Sequence, residues 1–222
     1  MKKIVICALY LTMCTLGTYA QNTWEMTESE KLELAKKQQK KAKQAVVEIE
    51  AKYAPGQVPV VDGKVVFETT IDASGKTKQQ IMDIVAAYLE EMTNEPNQID
   101  NENSTKISQV LANDKEKGTI VARFYEYLVF KNAFLSLDRT DFDFYISADC
   151  SDGKAVIKMF RMRYIYEQNR QGGFNSPAEE IITDDFAFNK KKTKLSRMYG
   201  KFRKKTIDRK NYIFSQFEQK LK

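Results

Sequence analysis

Residues 140–167 read TDFDFYISADCSDGKAVIKMFRMRYIYE, and this stretch decides the fold. Phe142, Phe144 and Ile146 alternate with Asp141, Asp143 and Tyr145, the period-two pattern of a strand with one dry face and one wet face. Ser151-Asp152-Gly153 interrupts the pattern, and Asp-Gly tolerates the positive φ that a tight hairpin needs. The spacing predicts strands over residues 140–149 and 154–167, joined antiparallel.

Working outward, residues 106–112 and 119–130 have the same β-rich character, with a turn over 113–118 between them. Short successive connections imply an antiparallel meander. Further upstream, Asp62-Gly63 marks a turn and the β-branched run over 64–71 a strand. Residues 77–92 then carry Ile81, Ile84, Val85, Tyr88, Leu89 and Met92 at helical spacing. Residues 94–104 are polar, contain Pro96 and read as a loop. Downstream, residues 168–189 carry Gly172-Gly173 and Ser176-Pro177 and read as an irregular loop. Residues 193–221 read as a helix with a break near Thr206. The order strand, helix, four strands, helix predicts an α+β domain over residues 58–222. Its five-stranded antiparallel sheet would have helices on one face and the other face open.

Ahead of this domain, residues 27–53 read as one long helix. Thr27-x-x-Glu30 has the form of a capping box, and Leu32, Ala35, Gln39, Ala42, Val46, Ile49 and Tyr53 make a weak stripe along one face. Pro55-Gly56-Gln57-Val58-Pro59 ends it, so residues 21–57 are an N-terminal helix and linker. A homo-oligomer built through this helix would want stronger hydrophobes along the stripe.

The first residues have the layout of a cleavable signal peptide over 1–20. Lys2-Lys3 is a positive start, Ile4 to Met13 an apolar run, and Thr18 and Ala20 the small residues before a cut after Ala20. The run falls short of the roughly 20 residues a membrane span needs, so no integral span remains after cleavage. Lipidation at Cys14 is the alternative, disfavoured by the bulky Met13. Of the three cysteines, Cys7 and Cys14 lie in this segment and Cys150 in the domain, which leaves the mature chain no internal disulfide.

Composition narrows the chemistry. A 42% hydrophobic and 11% aromatic chain can bury a core. It contains no histidine, which excludes Ser-His-Asp and Cys-His catalysis and histidine-ligated metals. The net charge of +6 is uneven: residues 190–222 hold thirteen Lys or Arg against Asp208 and Glu218, behind an acidic body. Gly75-Lys76-Thr77 has the ending of a phosphate-binding loop, but the position five before Gly75 is Thr70 rather than glycine. Thr77 as a helix N-cap is the simpler reading.

Val58-Pro59-Val60-Val61-Asp62-Gly63-Lys64-Val65-Val66-Phe67, and Gly75-Lys76-Thr77-Lys78 opening a helix that ends Ala87-Tyr88-Leu89, resemble domain-of-unknown-function family 4468. The resemblance extends by pattern over residues 58–221. It implies a TATA-binding-protein-like β-α-β4-α layout and an exported protein of Bacteroidota. It implies no activity and no catalytic residues.

Alternation places Arg123, Tyr125 and Tyr127, Asp141, Asp143 and Tyr145, and Arg161 and Arg163 on the open sheet face. Tyr and Arg are the residue types enriched where proteins bind one another. The carboxylates Asp141 and Asp143 also suit calcium or acid–base work, although a strand's wet face accounts for them. On the C-terminal helix, Lys201, Arg203, Lys204, Lys205, Arg209 and Lys210 could contact a polyanion. The expectation is a non-enzymatic binding or structural module, exported to the periplasm or beyond. It would act on an unknown envelope protein, with no cofactor and no specific nucleic acid. A protein that associates with polyanions or membrane surfaces is the alternative, and a carboxylate-based enzyme the second.

The mature protein is expected to begin at Gln21. Intact mass and N-terminal sequencing of the cell-derived protein check this. A retained Met1, or a diacylglyceryl group on Cys14, refutes it.

Overall fold

The computed structural model describes residues 49–100, 106–134 and 136–222, together with Ser29, Leu32, Glu33 and Lys36. The chain divides into two units, Met1–Val46 and Val47–Lys222. In the first unit the four described residues are helical. The signal peptide, most of the expected helix over 27–53 and its homo-oligomer route lie outside the described residues. The end of that helix differs from expectation, since Ile49 and Glu50 are irregular and Ala51–Tyr53 is a single 3-10 turn.

In the second unit the strands are β1 (Val60–Val61), β2 (Lys64–Val65), β3 (Phe67–Asp72), β4 (Gln109–Asp114), β5 (Thr119–Ala133), β6 (Ser136–Ser151), β7 (Lys154–Tyr166) and β8 (Phe174–Pro177). The helices are α1 (Lys78–Met92), the short α2 (Asp184–Ala187) and α3 (Tyr199–Leu221). β1 and β2 form a small hairpin, and the main sheet runs β3-β7-β6-β5-β4 with β8 also on β7. Every pairing in that sheet is antiparallel. The expected sheet had five strands; among the described residues it has six. The sixth, β8, sits in the stretch read as an irregular loop. Gly173 makes it reachable, because a Cβ there would stand 2.0 Å from the Glu167 carbonyl oxygen, so only glycine lets the chain turn back so tightly.

Two other boundaries move. β4 starts three residues later than expected and ends at Asp114, whose carboxylate accepts the N–H groups of Glu116 and Lys117 and closes the turn. α3 begins at Tyr199 rather than Thr193. The Asn189 side chain accepts from Thr193 N–H, and Ser196 N–H donates to the Ala187 carbonyl, which holds residues 189–196 in a loop. No break occurs at Thr206. That residue is buried with its hydroxyl 2.6 Å from Tyr164 Oη, inside a continuous helix. α1 starts as read: Thr77 caps it with a reciprocal bond to Gln80, and Asp152 of the β6–β7 turn accepts from Lys78 N–H.

α1 and α3 cover one face of the sheet. Ile81, Val85, Leu89, Phe202, Ile213 and Phe217 are buried against Phe124, Phe142, Phe144, Ile146, Ile157 and Tyr164. Phe142 stacks on Tyr164 at 5.1 Å, and Phe202 meets Tyr164, Tyr166 and Phe130 edge-on. Each such side chain contributes on the order of 2 kcal/mol by leaving water.

Two arginines of α3 lie inside this core. Arg209 donates from Nε and Nη2 to the two oxygens of Glu126, both at 2.8 Å, and pairs with Glu95 as well. Glu126 points from β5 into the covered face with its side chain 0% exposed, and Gln98 donates to it. Burial pushes the Glu126 carboxyl above the ordinary range while the Arg209 charge pulls it back. For Arg209 burial works against the proton, but the Glu126 and Glu95 carboxylates outweigh it and raise the pKa. Arg203, also 0% exposed, donates to the carbonyls of Tyr53, Ala54 and Ile182 and pairs with Asp184 at 2.9 Å. The chain ahead of β1 is thus docked on the domain: Tyr53 and Val58 are buried, and Gly56 N–H donates to Asp184.

Removing one partner of a buried pair strands the other. Arg209→Met alone is expected to destabilise the domain by about 3–5 kcal/mol, and Glu126→Leu with Arg209→Met by much less. Urea unfolding of Glu126→Leu, Arg209→Met and the double variant measures this; a double loss equal to the sum of the two single losses would show that the pair contributes nothing as a pair.

Candidate functional site

The face of the sheet opposite the helices is built from alternate residues of β5, β6 and β7. Arg123, Tyr125 and Tyr127 come from β5, Asp141, Asp143 and Tyr145 from β6, and Arg163 from β7; all but the exposed Arg163 are half-buried. Strand pairing sets Arg123 opposite Tyr145, Tyr125 opposite Asp143, Tyr127 opposite Asp141, and Asp143 opposite Arg163.

β7 changes phase to bring its arginines here. Ala155, Ile157 and Met159 face the core, then Met162, Tyr164 and Tyr166 do so. Arg161 absorbs the extra residue at φ +52°, a left-handed conformation outside the ordinary strand region. Without that bulge, strict alternation would turn Arg161 and Arg163 to the same side as Met159. Phe160, just ahead of the bulge, is on the open face by ordinary alternation from Met159, 6.0 Å from the Tyr145 ring, and Arg161 sits 5.7 Å from that ring.

The polar groups on this face hold one another. Arg123 grips Asp143 with two bonds, Nε to Oδ1 at 2.9 Å and Nη2 to Oδ2 at 2.8 Å. That bond, more than any other influence, raises the arginine's pKa. Tyr125 Oη donates to Asp141 Oδ2 at 2.8 Å; burial first, and then this bond, push the phenol upward. Arg139 lies 3.6 Å from the Tyr127 ring centroid, and Arg163 donates to the Asn175 side chain at 2.8 Å. Phe160 and Arg139 escaped the reading of the sequence. The first is signalled by the hydrophobic phase jump between Met159 and Met162. The second lies beyond the expected start of its strand.

The six basic residues expected to contact a polyanion from the C-terminal helix meet different fates. Arg203 and Arg209 are in the core. Lys201 is clasped by Asp138 at 2.7 Å and Tyr166 at 2.9 Å. Lys210 is half-buried between the Phe67 and Phe214 rings. Lys204 and Lys205 are exposed. The charge count of the sequence thus overstates the basic surface, because core pairing absorbs part of it. Among the described residues no group of three His, Cys, Asp or Glu side chains is placed to hold a metal, and no helix is long and apolar enough to cross a membrane.

Residues 67–165 match the family described as a domain of unknown function (DUF4468) with TBP-like fold. A solved DUF4468 family protein from Bacteroides ovatus is 33% identical, with a TM-score of 0.68, covering 78% of this chain and 95% of its own. A TBP-like protein from Parabacteroides distasonis is similar in fold, at 19% identity and TM-score 0.58 over 74% of this chain and 96% of its own. No curated protein matches the chain.

Cys150 lies on the covered side at the end of β6, 5% exposed. Burial, and then the Asp149 charge, push its thiol up to about 11. A thiol reagent is expected to react slowly with the native protein, at a rate still rising about tenfold per pH unit past the ordinary thiol range near 8.5. Stopped-flow alkylation against pH reads this, and a plateau by pH 9 would refute it.

Proposed function

The chain belongs to the DUF4468 family with its TBP-like fold, and from that premise we propose that it is a non-enzymatic binding module of the cell envelope. The open sheet face holds the partner, an envelope protein, and export follows cleavage after Ala20. The observation that carries this reading is the way the open face is fixed. Arg123, Tyr125, Asp141 and Asp143 are locked by bonds to one another on a rigid sheet. Tyr127, Tyr145 and Phe160 present ring surface beside Arg139 and Arg161. Pre-organised aromatic and arginine groups lose little entropy when a partner docks, which is what concentrates binding energy at such residues.

The same pairing speaks against the carboxylate chemistry weighed from the sequence. Asp141 already accepts from Tyr125 and Asp143 from Arg123, so neither is a free acid or base. The polyanion reading keeps Lys204 and Lys205 as its exposed contacts, with Arg203 and Arg209 consumed by the core.

Tyr125→Ala and Arg161→Ala are expected to lower recovery of cross-linked envelope partners about tenfold, the loss of a hot spot worth ~1.4 kcal/mol. Quantitative mass spectrometry of partners cross-linked in intact cells measures it. Undiminished recovery by both variants sinks the proposal.

A further inference from the structure

Among the described residues β3 is an edge strand. It pairs with β7 on one side, from Phe67 opposite Met159 to Asp72 opposite Lys154. Ala73 N–H donates to the Gly153 carbonyl at the end of this ladder. Bonded and non-bonded pairs alternate along an antiparallel ladder, so Ile71, Thr69 and Phe67 turn their backbone groups to β7. Glu68, Thr70 and Asp72 turn theirs outward, and all three residues are exposed.

Beside this edge runs α3. Residues 69–72, the helix residues Lys210, Asn211, Phe214, Ser215 and Glu218, and Lys222 just past the helix line one cleft of ≈ 540 Å³. A free strand edge facing a helix across a cleft is how domains that recognise peptides by strand addition are built. The main chain of the guest completes the ladder, and its alternate side chains fall into the cleft.

The charges along the cleft are not uniform. Near Asp72, Lys222 pairs with Glu218 at 2.6 Å, and Asp72 itself accepts from Ser74. Towards Phe67 lies Lys210, 5.4 Å and 5.6 Å from the Phe67 and Phe214 rings, with no carboxylate partner among the described residues. Burial alone lowers its pKa, and among the described residues no anion opposes that. A half-buried cation without a counter-charge is complemented by an acidic group from outside.

We infer that the β3–α3 cleft binds an extended peptide as an added strand, with the peptide's backbone on the outward groups of Glu68, Thr70 and Asp72 and an acidic residue at Lys210. The occupant is a segment of a partner protein. Its apolar side chains pack on Phe214, and its length is set by the six residues of β3. The cleft is separate from the open face, so this inference stands or falls independently of the reading above.

Random decapeptides displayed on phage and panned against the mature protein test it, with the enriched peptides then synthesised and titrated by fluorescence anisotropy. The expected winners are free of proline over five or six consecutive positions and carry Asp or Glu at one fixed place. Thr70→Pro removes an outward N–H that β7 does not use, and proline is tolerated on edge strands. It is expected to weaken binding about tenfold while cooperative unfolding is retained. Lys210→Glu is expected to weaken the acidic peptides at least as much and to select Lys or Arg instead, while Tyr125→Ala binds as the parent does. No enrichment, or peptides indifferent to both Thr70→Pro and Lys210→Glu, overturns the inference. So does a dimer that Thr70→Pro dissociates, since the edge would then serve a second copy.

Discussion

The bidentate contact between Glu126 and Arg209 is the constraint from which the rest of the molecule can be read. A carboxylate placed among Phe124, Leu128 and the aromatic core has no tolerable environment unless a cation reaches it. Arg209 reaches it only if α3 crosses the covered face of the sheet at one position and rotation. Hydrophobic packing alone would accept several such placements. The charge pair accepts one, and Glu95 and Gln98 extend the same network into the segment after α1. Fixing α3 in turn fixes Thr206 beneath Tyr164, Arg203 against the chain at Tyr53–Ala54, and the wall of the cleft beside β3.

The two faces of the sheet solve opposite problems. The covered face is apolar and takes its few charges into satisfied pairs. The open face is polar and aromatic, and among the described residues its groups are held by neighbours on adjacent strands. A Tyr or Arg kept in place by Asp141 or Asp143 is ordered before anything docks. The bulge at Arg161 makes this division possible within β7. It lets one strand serve the core with Met159 and Met162 although they are three residues apart.

Much of this was legible from residue order. The alternation through Phe142, Phe144 and Ile146, the Asp152-Gly153 turn and the Thr77 cap rest on local chemistry, and each appears where it was read. What misled was anything settled by distant partners. Ser176-Pro177 looks like loop, yet those residues pair with Tyr164 and Arg163 because the turn at Gly173 delivers them there. Residues 193–198 look helical, but Asn189 and Ala187 offer their backbone groups better bonds. Arg203 and Arg209 look like a solvent-facing basic stripe, since composition counts charges without knowing which are answered inside. For the open face, the residues were identifiable by parity on β5 and β6. On β7 the parity rule itself fails at Arg161, and only the shift in the hydrophobic pattern betrays it.

Arg203 has a mechanical side. Its guanidinium grips the carbonyls of Tyr53 and Ala54 from within a helix that is itself anchored to the sheet. A tug on the polypeptide ahead of Tyr53 is met by these bonds acting in parallel, together with the Asp208 contacts to Tyr53 and Lys52. Tension is therefore absorbed at the helix before it reaches the ladder of the sheet. The fold behind Tyr53 is thus sheltered from strain by one clamp of four side chains, Arg203, Asp208, Tyr53 and Lys52.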